Sequence, residues 1–329
     1  MPLHLSIACR PYDRVAALMD GRVAVEGCTT SMLPLPAEEI FSRAYGRAEF
    51  DVTELSMSSH IVTTEKKISP YVGIPVFISR MFRHQAIYVR NDRGILAPKD
   101  LCGKTLGVPE YQMTAALWVR GMLSDVYGVR AEHIAWRTGG LQQPGRREKF
   151  GMTFGPPLDV QPIPSDQTLD ALLARGDLDG IVTARPPPCF LNASAPVQRL
   201  FPEFVAEEQA YFARTGLFPI MHLIGIRKDI YERNPWLASS LFKAFEQAKA
   251  AFFAGIEDGN ALQVTLPWSL HYYAETRRLM GADYWPYGLA KNGAALDAML
   301  RYSREQGLTS DSCDVGELFA PCEEAQAQA

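Results

Sequence analysis

The spacing of apolar and polar positions in the first third of the chain switches repeatedly between the period of a strand and that of a helix. Residues 3–9 alternate apolar and polar side chains, which predicts a half-buried strand, and residues 12–19 carry apolar side chains at helical spacing. Helices are predicted to open at Pro36 and after Ser56. Further strand patterns span residues 23–35, 50–55 and 72–78. This repeated order of strand and helix predicts a largely parallel sheet covered by helices.

A second α/β unit occupies the middle of the chain. Its predicted strands span residues 86–89, 104–108, 134–137 and 179–184, and its predicted helices span residues 113–127 and 169–174. Residues 138–166 are rich in Gly, Pro and Arg, which predicts a long excursion with little regular structure. The last third holds one strand pattern and then long helix patterns, over residues 220–226, 234–253, 268–280 and 288–306.

This order predicts an α/β protein of two lobes. The C-terminal helices have no sheet of their own, so we expect them to pack on the first lobe. We assign residues 1–85 with 216–329 to lobe 1 and residues 86–215 to lobe 2, with chain crossings near residues 85 and 216. Ligands of open α/β sheets bind outside the carboxyl ends of the strands. The turns from strand to helix, facing a cleft between the lobes, are therefore expected to form the site.

Composition and charge narrow the possible partners. The 329 residues suit two lobes better than one small core. Asp and Glu number 37 against 33 Lys and Arg, a net charge of −4, which argues against nucleic-acid binding. No apolar stretch approaches the roughly 18 residues that a membrane helix needs. The N-terminus resembles a strand rather than an export signal. We therefore expect a cytoplasmic protein with no nucleic-acid or membrane partner.

Six scattered cysteines, with no C-x-x-C pair among them, indicate buried thiols rather than a disulfide framework. No phosphate-binding glycine loop, G-x-G-x-x-G fingerprint, H-E-x-x-H or G-x-S-x-G motif occurs. His60, His84 and His222 could in principle meet at a metal, but their spacing is not diagnostic. The residues alone therefore predict neither an organic cofactor nor a metal site.

Four strand-to-helix turns carry groups suited to an anion. They contribute Arg10, Ser58 with Ser59, Glu110 with Tyr111, and Arg185. Hydroxyls and free N–H groups at the start of a helix can hold a carboxylate. Helix capping explains any one of these turns alone, but four of them in a two-lobe plan predict an anion-binding cleft.

The predicted chain crossings carry three further candidates. Arg80 and Arg83, with His84 beside them, suit a bidentate hold on a carboxylate, although a solvated crossing with surface ion pairs is the alternative. His222 lies in an apolar run at the second crossing, where it is either a core residue or the titrating group of a site. Trp285 either walls a planar ligand or packs in the core.

Several long motifs resemble those of the 4,5-dihydroxyphthalate decarboxylase family. They are IPVFISRMFRH at residues 74–84, GVPEYQMT at 107–114, FPIMH at 218–222, NPW at 234–236 and WPYG at 285–288. The resemblance runs nearly the whole length of the chain. It implies a two-lobe fold like that of type II periplasmic solute-binding proteins. It also implies loss of one carboxylate from 4,5-dihydroxyphthalate, giving protocatechuate and CO2.

The roles we assign to residues in such a reaction are hypotheses. Arg80 and Arg83, helped by the helix start at Ser58 and Ser59, are expected to clamp the retained carboxylate. His222 is the first choice for the acid/base, with His84 and Glu110 as second choices. Tyr111 and Trp285 are expected to wall the ring.

The resemblance also bears on cofactors and partners. Since the catechol itself serves as the electron sink, no organic cofactor is required, although a divalent metal chelated by the catechol oxygens stays open. The expected partner is a small aromatic dicarboxylate, and a homo-oligomer is possible. Two rival readings are a non-catalytic solute receptor and a cytosolic synthase of a pyrimidine precursor on the same scaffold. The second of these typically needs metal and histidine-rich sites.

Overall fold

The computed structural model describes residues 2–310 and 313–322 of the chain. Its strands are β1 (Leu3–Cys9), β2 (Cys28–Pro34), β3 (Val52–Ser56), β4 (Tyr71–Arg80), β5 (Ile87–Arg90), β6 (Thr105–Val108), β7 (Ala135–Thr138), β8 (Val160–Pro162), β9 (Gly180–Val182), β10 (Val197–Arg199) and β11 (Ile220–Arg227). Its helices are α1 (Ala16–Met19), α2 (Ala37–Arg47), α3 (Met57–Glu65), α4 (Thr114–Tyr127), α5 (Leu169–Arg175), α6 (Pro188–Leu191), α7 (Phe204–Thr215), α8 (Lys228–Arg233), α9 (Leu237–Glu257), α10 (Ser269–Met280), α11 (Gly293–Glu305) and α12 (Val315–Leu318). The predicted α/β class is confirmed.

The strands form two sheets. The first has the order β2-β1-β3-β11-β4, and the second has the order β10-β5-β9-β6-β7-β8. All five residues of β3 are buried, as expected of a central strand covered on both faces. The first sheet thus takes its strands from residues 3–80 and 220–227, and the second from residues 87–199.

Both sheets are largely parallel, as predicted, and each contains one strand that runs in the opposite direction. In the first sheet β11 pairs antiparallel with β3 and β4, and in the second β5 pairs antiparallel with β9. The reversed strands are β5 and β11, and each of them comes directly after the chain has crossed from one sheet to the other. Because the chain enters the new sheet at the edge where the parallel strands end, it runs back in the opposite direction.

The crossings fall where the sequence predicts them, between β4 and β5 and before β11. The assignment of residues 1–85 with 216–329 and of 86–215 to separate lobes stays a prediction. Among the C-terminal helices, α9 packs against α1 and β4 of the first sheet's unit. Helix α11 also contacts α4 of the second unit, a contact that the sequence pattern did not predict.

Residues 138–166 are largely irregular, as predicted, with the short strand β8 near their end. The sequence pattern does not predict helix α7, because the helix shows no apolar stripe. In the structure, Glu208 and Tyr211 alone among its residues are buried. The short elements β10, α6, α8 and α12 were missed too. Within the described part of the chain, no helix combines the length and the apolar character that spanning a membrane requires.

Candidate functional site

The cleft edge of the first sheet brings the ends of four strands together. Strands β1, β3 and β4 end there, and β11 begins there. His222 of β11 is in register with Ser56 of β3 and Ser79 of β4. The pairing of β11 with β4 shifts on both sides of His222. Such irregularities redirect side chains and are common beside functional sites.

A buried glutamate of the neighbouring strand holds His222. The Nδ1 of His222 lies 2.5 Å from Oε1 of Glu54, whose side chain is 0% exposed. The Tyr12 hydroxyl donates to the same oxygen at 2.7 Å, and the Arg10 backbone N–H donates to Oε2 at 2.9 Å. Glu54 therefore joins the turn after β1 to the start of β11.

These contacts set the ionisation of the buried groups. Burial alone would raise the pKa of the Glu54 carboxyl, but hydrogen bonding and charge from His222 and the donors of Arg10 and Tyr12 hold it below its usual value. Burial, with the charge of Glu54, raises the pKa of Tyr12 far above its usual value. Glu54 is therefore the anion of the group and Tyr12 a neutral donor.

The second ring nitrogen of His222 is the reactive candidate. Among residues 2–310 and 313–322, no hydrogen bond is found to its Nε2, and the side chain keeps 18% exposure. The ring of Phe41 meets the imidazole edge-on, with 4.9 Å between centroids. An imidazole held by a carboxylate at one nitrogen and open at the other is suited to proton transfer.

Arg83 is a buried cation with no carboxylate within ion-pair distance in the described residues. Its Nε and Nη2 contact the Met221 sulfur at 3.2 and 3.0 Å. Burial lowers its pKa to about 10, an effect that the nearby Glu208 carboxylate opposes. A buried charge with so weak a partner is costly unless an anion binds to it. This position favours the predicted clamp role of Arg83.

Polar groups at the starts of α3 and α4 hydrogen-bond directly to one another. The Oγ1 of Thr114 lies 2.9 Å from the Ser56 hydroxyl and accepts the Ser58 backbone N–H at 3.0 Å. The Ser59 hydroxyl donates to Oε1 of Gln112 at 3.2 Å. The Ser58 hydroxyl is buried and has no partner in the described residues. Since helix starts favour negative charge, this junction is a second place suited to a carboxylate.

Arg10 and Trp285 lie near the Tyr12 side of the site. The guanidinium of Arg10 is 5.6 Å from the centroid of the Tyr12 ring. Arg14 lies between two rings, 4.1 Å from the centroid of Tyr12 and 4.2 Å from that of Trp285. The indole N–H of Trp285 donates to the Phe77 carbonyl. Arg14 thus covers one face of the Trp285 ring, which we predict to pack against the substrate ring.

Arg80 is used inside the protein. Its side chain is buried, and burial lowers its pKa to about 9. It donates to the carbonyls of Phe218 and Pro286 and to the side chain of Asn292. These contacts favour a structural anchor over the clamp role that the sequence suggested.

His84 and Tyr111 are also placed as core residues. His84 is 1% exposed, neither ring nitrogen has a partner in the described chain, and Phe201 and Tyr211 meet its ring edge-on. Burial lowers its pKa to about 4. Tyr111 is fully buried, with the guanidinium of Arg120 3.7 Å from its ring centroid. Neither placement favours the site role predicted for these two residues.

Glu110 pairs with cations of its own unit, whereas Arg185 approaches a residue of the other unit. Glu110 is 2% exposed and pairs with Arg146 at 2.6 Å and Lys149 at 3.2 Å, both from the excursion. Arg146 also lies 3.3 Å from Glu38 of α2, and the exposed Arg185 lies 3.9 Å from Glu38. These cations leave Glu110 engaged as an anchor, so nothing in its contacts favours an acid/base role.

A cavity of about 560 Å³ lies beside the excursion, lined in part by Arg146, Glu148 and Phe154. His222 is not among its lining residues. In the described ranges, no group of three or more His, Cys, Asp or Glu side chains is arranged to hold a metal. His60 instead hydrogen-bonds the Leu318 carbonyl at 2.7 Å.

Sequence reasoning gave no role to Glu54, Tyr12, Arg14 or Thr114. The signal for Glu54 was present, since a glutamate sits within a strand pattern of buried residues, where a carboxylate needs strong partners. Its partners come from residues 10–12 and 222, and the sequence alone does not pair these segments.

The chain is similar to known proteins in both sequence and structure. It is 43% identical over 319 residues to the 4,5-dihydroxyphthalate decarboxylase of Comamonas testosteroni, covering 97% of each chain. It is 43% identical over 199 residues to the protein of the same name from Pseudomonas putida, covering 60% of this chain and 77% of that one. No family model matches the chain.

Two solved structures share the fold. The periplasmic aliphatic sulphonate-binding protein SsuA of Escherichia coli matches with a TM-score of 0.55 at 14% identity, covering 97% of this chain and 98% of that chain. Protein AF1704 of Archaeoglobus fulgidus matches with a TM-score of 0.51 at 13% identity, covering 93% and 98%. The fold is therefore of the two-lobe periplasmic-binding-protein-like class, as predicted. Within that class, the chain belongs to the 4,5-dihydroxyphthalate decarboxylase family.

Proposed function

We propose that the protein is a carboxy-lyase that converts 4,5-dihydroxyphthalate to 3,4-dihydroxybenzoate and CO2. The observation that carries this proposal is the carboxylate-held imidazole of His222, and a second feature is the buried guanidinium of Arg83, for which the described residues supply no carboxylate. Membership of the 4,5-dihydroxyphthalate decarboxylase family supports the choice of 4,5-dihydroxyphthalate as the substrate. The reaction needs both of these groups, one for a proton and one for a carboxylate.

The substrate chemistry explains why the reaction needs a proton donor as well as a cation. Each carboxylate of the substrate is para to a hydroxyl, so ionisation of that hydroxyl pushes electron density to the carbon that bears the leaving group. That carbon takes up one proton, the bond to the carboxylate breaks, and its electron pair returns to the ring as CO2 leaves. One proton is consumed, and no electrons are exchanged with another reagent.

His222 is proposed to supply the proton through Nε2, the nitrogen that the described chain leaves without a hydrogen bond. Arg83 is proposed to bind the carboxylate that is retained, because its described hydrogen-bond partner is a sulfur. The junction of Ser56, Ser58 and Thr114 offers hydroxyl and helix-start groups to an anion. Arg10 lies near the Tyr12 side of the same site.

The test is incubation of the purified protein with 4,5-dihydroxyphthalate while CO2 and 3,4-dihydroxybenzoate are both measured. The proposal predicts that they appear in equal amounts. Phthalate, which lacks both hydroxyls, is the matched control and should release no CO2, since it has no phenol to drive the reaction. Binding of the dihydroxylated acid without CO2 would overturn the proposal and favour the solute-receptor alternative.

Three expectations from the sequence stay predictions. They are the cytoplasmic location, the absence of a required organic cofactor, with a divalent metal left open, and any self-association. Dialysis against a chelator, followed by the same CO2 measurement, addresses the metal.

A further inference from the structure

Glu54 is an isolated buried anion at the base of the proposed site. Its Oε1 accepts from His222 and from the Tyr12 hydroxyl, and its Oε2 accepts from the Arg10 backbone N–H. Within the described residues, no lysine or arginine side chain lies within ion-pair distance of this carboxylate. The imidazole of His222 is therefore its charge partner.

This arrangement restricts where the proton of His222 can be. An ionised carboxylate only accepts hydrogen bonds, so the Nδ1 that lies 2.5 Å from Glu54 must carry a proton. In the neutral imidazole, Nε2 is then the nitrogen without a proton. In the imidazolium, Nε2 carries the proton that can be transferred, and Glu54 offsets the positive charge.

We propose that Glu54 is a positioning residue that fixes His222 with its proton on Nδ1 and thereby stabilises the charged form that donates from Nε2. This inference rests on the proposed function and deepens it. In the acid step, the Nε2–H bond breaks as the new C–H bond forms at the ring carbon. The imidazole is left neutral, still bonded to Glu54 through Nδ1, and it takes its next proton from water.

Tyr12 and the Arg10 peptide keep Glu54 ionised for this purpose. Both donate to the carboxylate, and Tyr12 has no tendency to lose its own proton because burial and Glu54 raise its pKa. A buried carboxylate that accepts several hydrogen bonds stays charged at lower pH than an isolated one. Glu54 therefore stays ionised, and the proton that is transferred is the one on the imidazole.

Other charged or titratable groups face this pair from the elements around it. Cys9 at the end of β1 has its pKa raised, first by burial and then by Glu54, so it stays a neutral thiol. Arg14 lies against the Tyr12 ring, and Arg83 acts on Tyr12 through its charge. From α2, the uncharged ring of Phe41 covers the imidazole. Glu54 is therefore the anion that contacts His222 directly.

The first test measures the tautomer of His222 without using activity. Histidine side chains are labelled with ¹⁵N, and the signals of His222 are assigned from their loss in the His222→Asn variant. In the wild type, the neutral ring is expected to carry its proton on Nδ1, because an ionised Glu54 can only accept a hydrogen bond. In Glu54→Gln, the share of the ring protonated at Nδ1 should fall, because an amide can also donate. A neutral wild-type ring protonated at Nε2, or an unchanged tautomer in Glu54→Gln, would overturn the proposal.

The control for that test is Asp125→Asn. Asp125 is a carboxylate between α4 and α11 that likewise accepts a tyrosine hydroxyl, from Tyr302 at 2.5 Å, and pairs with Arg301. Loss of its charge should leave the His222 tautomer as it is in the wild type. A change as large as that of Glu54→Gln would mean that general loosening of the structure, and not the loss of Glu54 as an acceptor, changes His222, and so would overturn the proposal.

The second test is kinetic. Glu54→Gln is expected to lower kcat for 4,5-dihydroxyphthalate by roughly 10²- to 10⁴-fold, the usual range for general acid–base catalysis, with KM changed by only a few fold. A variant that keeps wild-type kcat would overturn the proposal. If the wild-type protein released no CO2, the proposed function would fail, while the tautomer measurement would still decide whether Glu54 positions His222.

Discussion

A buried guanidinium reveals its role by what accepts its N–H groups. Arg80 gives its donors to two backbone carbonyls and an asparagine, so its cost of burial is offset inside the protein. Arg83, three residues on, has a methionine sulfur instead. The two arginines therefore differ in what they can offer to a substrate carboxylate.

Arg83→Gln is expected to weaken the binding of 4,5-dihydroxyphthalate. A charge-assisted hydrogen bond contributes roughly 1.5–3 kcal/mol, which corresponds to a Kd that is about 10- to 100-fold higher. Isothermal calorimetry at fixed ionic strength measures this change.

The matched variant is Arg80→Gln. It is expected to lower the melting temperature, because buried carbonyl acceptors lose their donor. Its folded fraction should bind substrate with nearly the wild-type Kd. If affinity were lost in Arg80→Gln and kept in Arg83→Gln, Arg80 and not Arg83 would be the residue that binds the retained carboxylate.

The sequence predicts site roles for His222 and Arg83 because both lie at the chain crossings. It gave no means of separating Arg83 from Arg80, since the acceptors of Arg80 come from residues 218, 286 and 292. For the same reason it did not find Glu54 as the partner of His222, because register across an antiparallel pair decides that contact.

At the scale of elements, close packing of α11 on α4 joins the two units. A Cβ on Gly121 of α4 would lie 2.3 Å from the Tyr302 ring of α11. Tyr302 has little freedom to move, since its hydroxyl is bonded to Asp125 and its ring meets Trp118 edge-on. The glycine is therefore required by the contact between these helices.

Gly121→Ala is expected to destabilise the protein by roughly 1–3 kcal/mol, the usual cost of overpacking a core. Urea unfolding followed by circular dichroism measures the loss. Gly46→Ala in α2 is the control, because no atom lies within 4 Å of the added Cβ. The control should be neutral or more stable by about 0.5–1 kcal/mol, through its helix propensity. Equal stability of the two variants would contradict the close contact.

Strong periodic patterns made most elements predictable. The strands β1, β3, β4 and β11 and the helices α4, α9 and α11 follow such patterns, with ends that differ by a few residues. Helix α7 has too few buried positions to show a pattern. The direction of β5 and β11 depends on the chain path between two sheets, which local periodicity does not encode.

At the scale of the whole molecule, the excursion and the crossings connect the units with charged groups. Arg146 reaches both Glu110 of the second unit and Glu38 of the first. Near the first crossing, Glu208 of α7 accepts the Gln85 backbone N–H at 3.5 Å. The positive charge of Arg83 also acts on Glu208 and lowers its pKa. Burial outweighs these contacts and raises the pKa of Glu208 from 4.5 to about 7.

This shift predicts how stability depends on pH. The folded protein holds the Glu208 proton more tightly than the unfolded chain, so the contribution of Glu208 to stability falls as pH rises from 4.5 to about 7 and is constant above that. Glu208→Gln should flatten the curve of unfolding free energy against pH over this interval. Glu203→Gln, an exposed carboxylate at the start of the same helix, is the control and should keep the wild-type slope. A wild-type slope in Glu208→Gln would contradict the assignment.

The central claim is that His222 transfers a proton to the substrate ring, and its most direct test is His222→Asn. Single-turnover release of CO2 from 4,5-dihydroxyphthalate and equilibrium binding of phthalate, which should not react, are measured side by side with the wild type. The account predicts a rate lower by roughly 10²- to 10⁴-fold with a Kd within a few fold. CO2 release at the wild-type rate would contradict it.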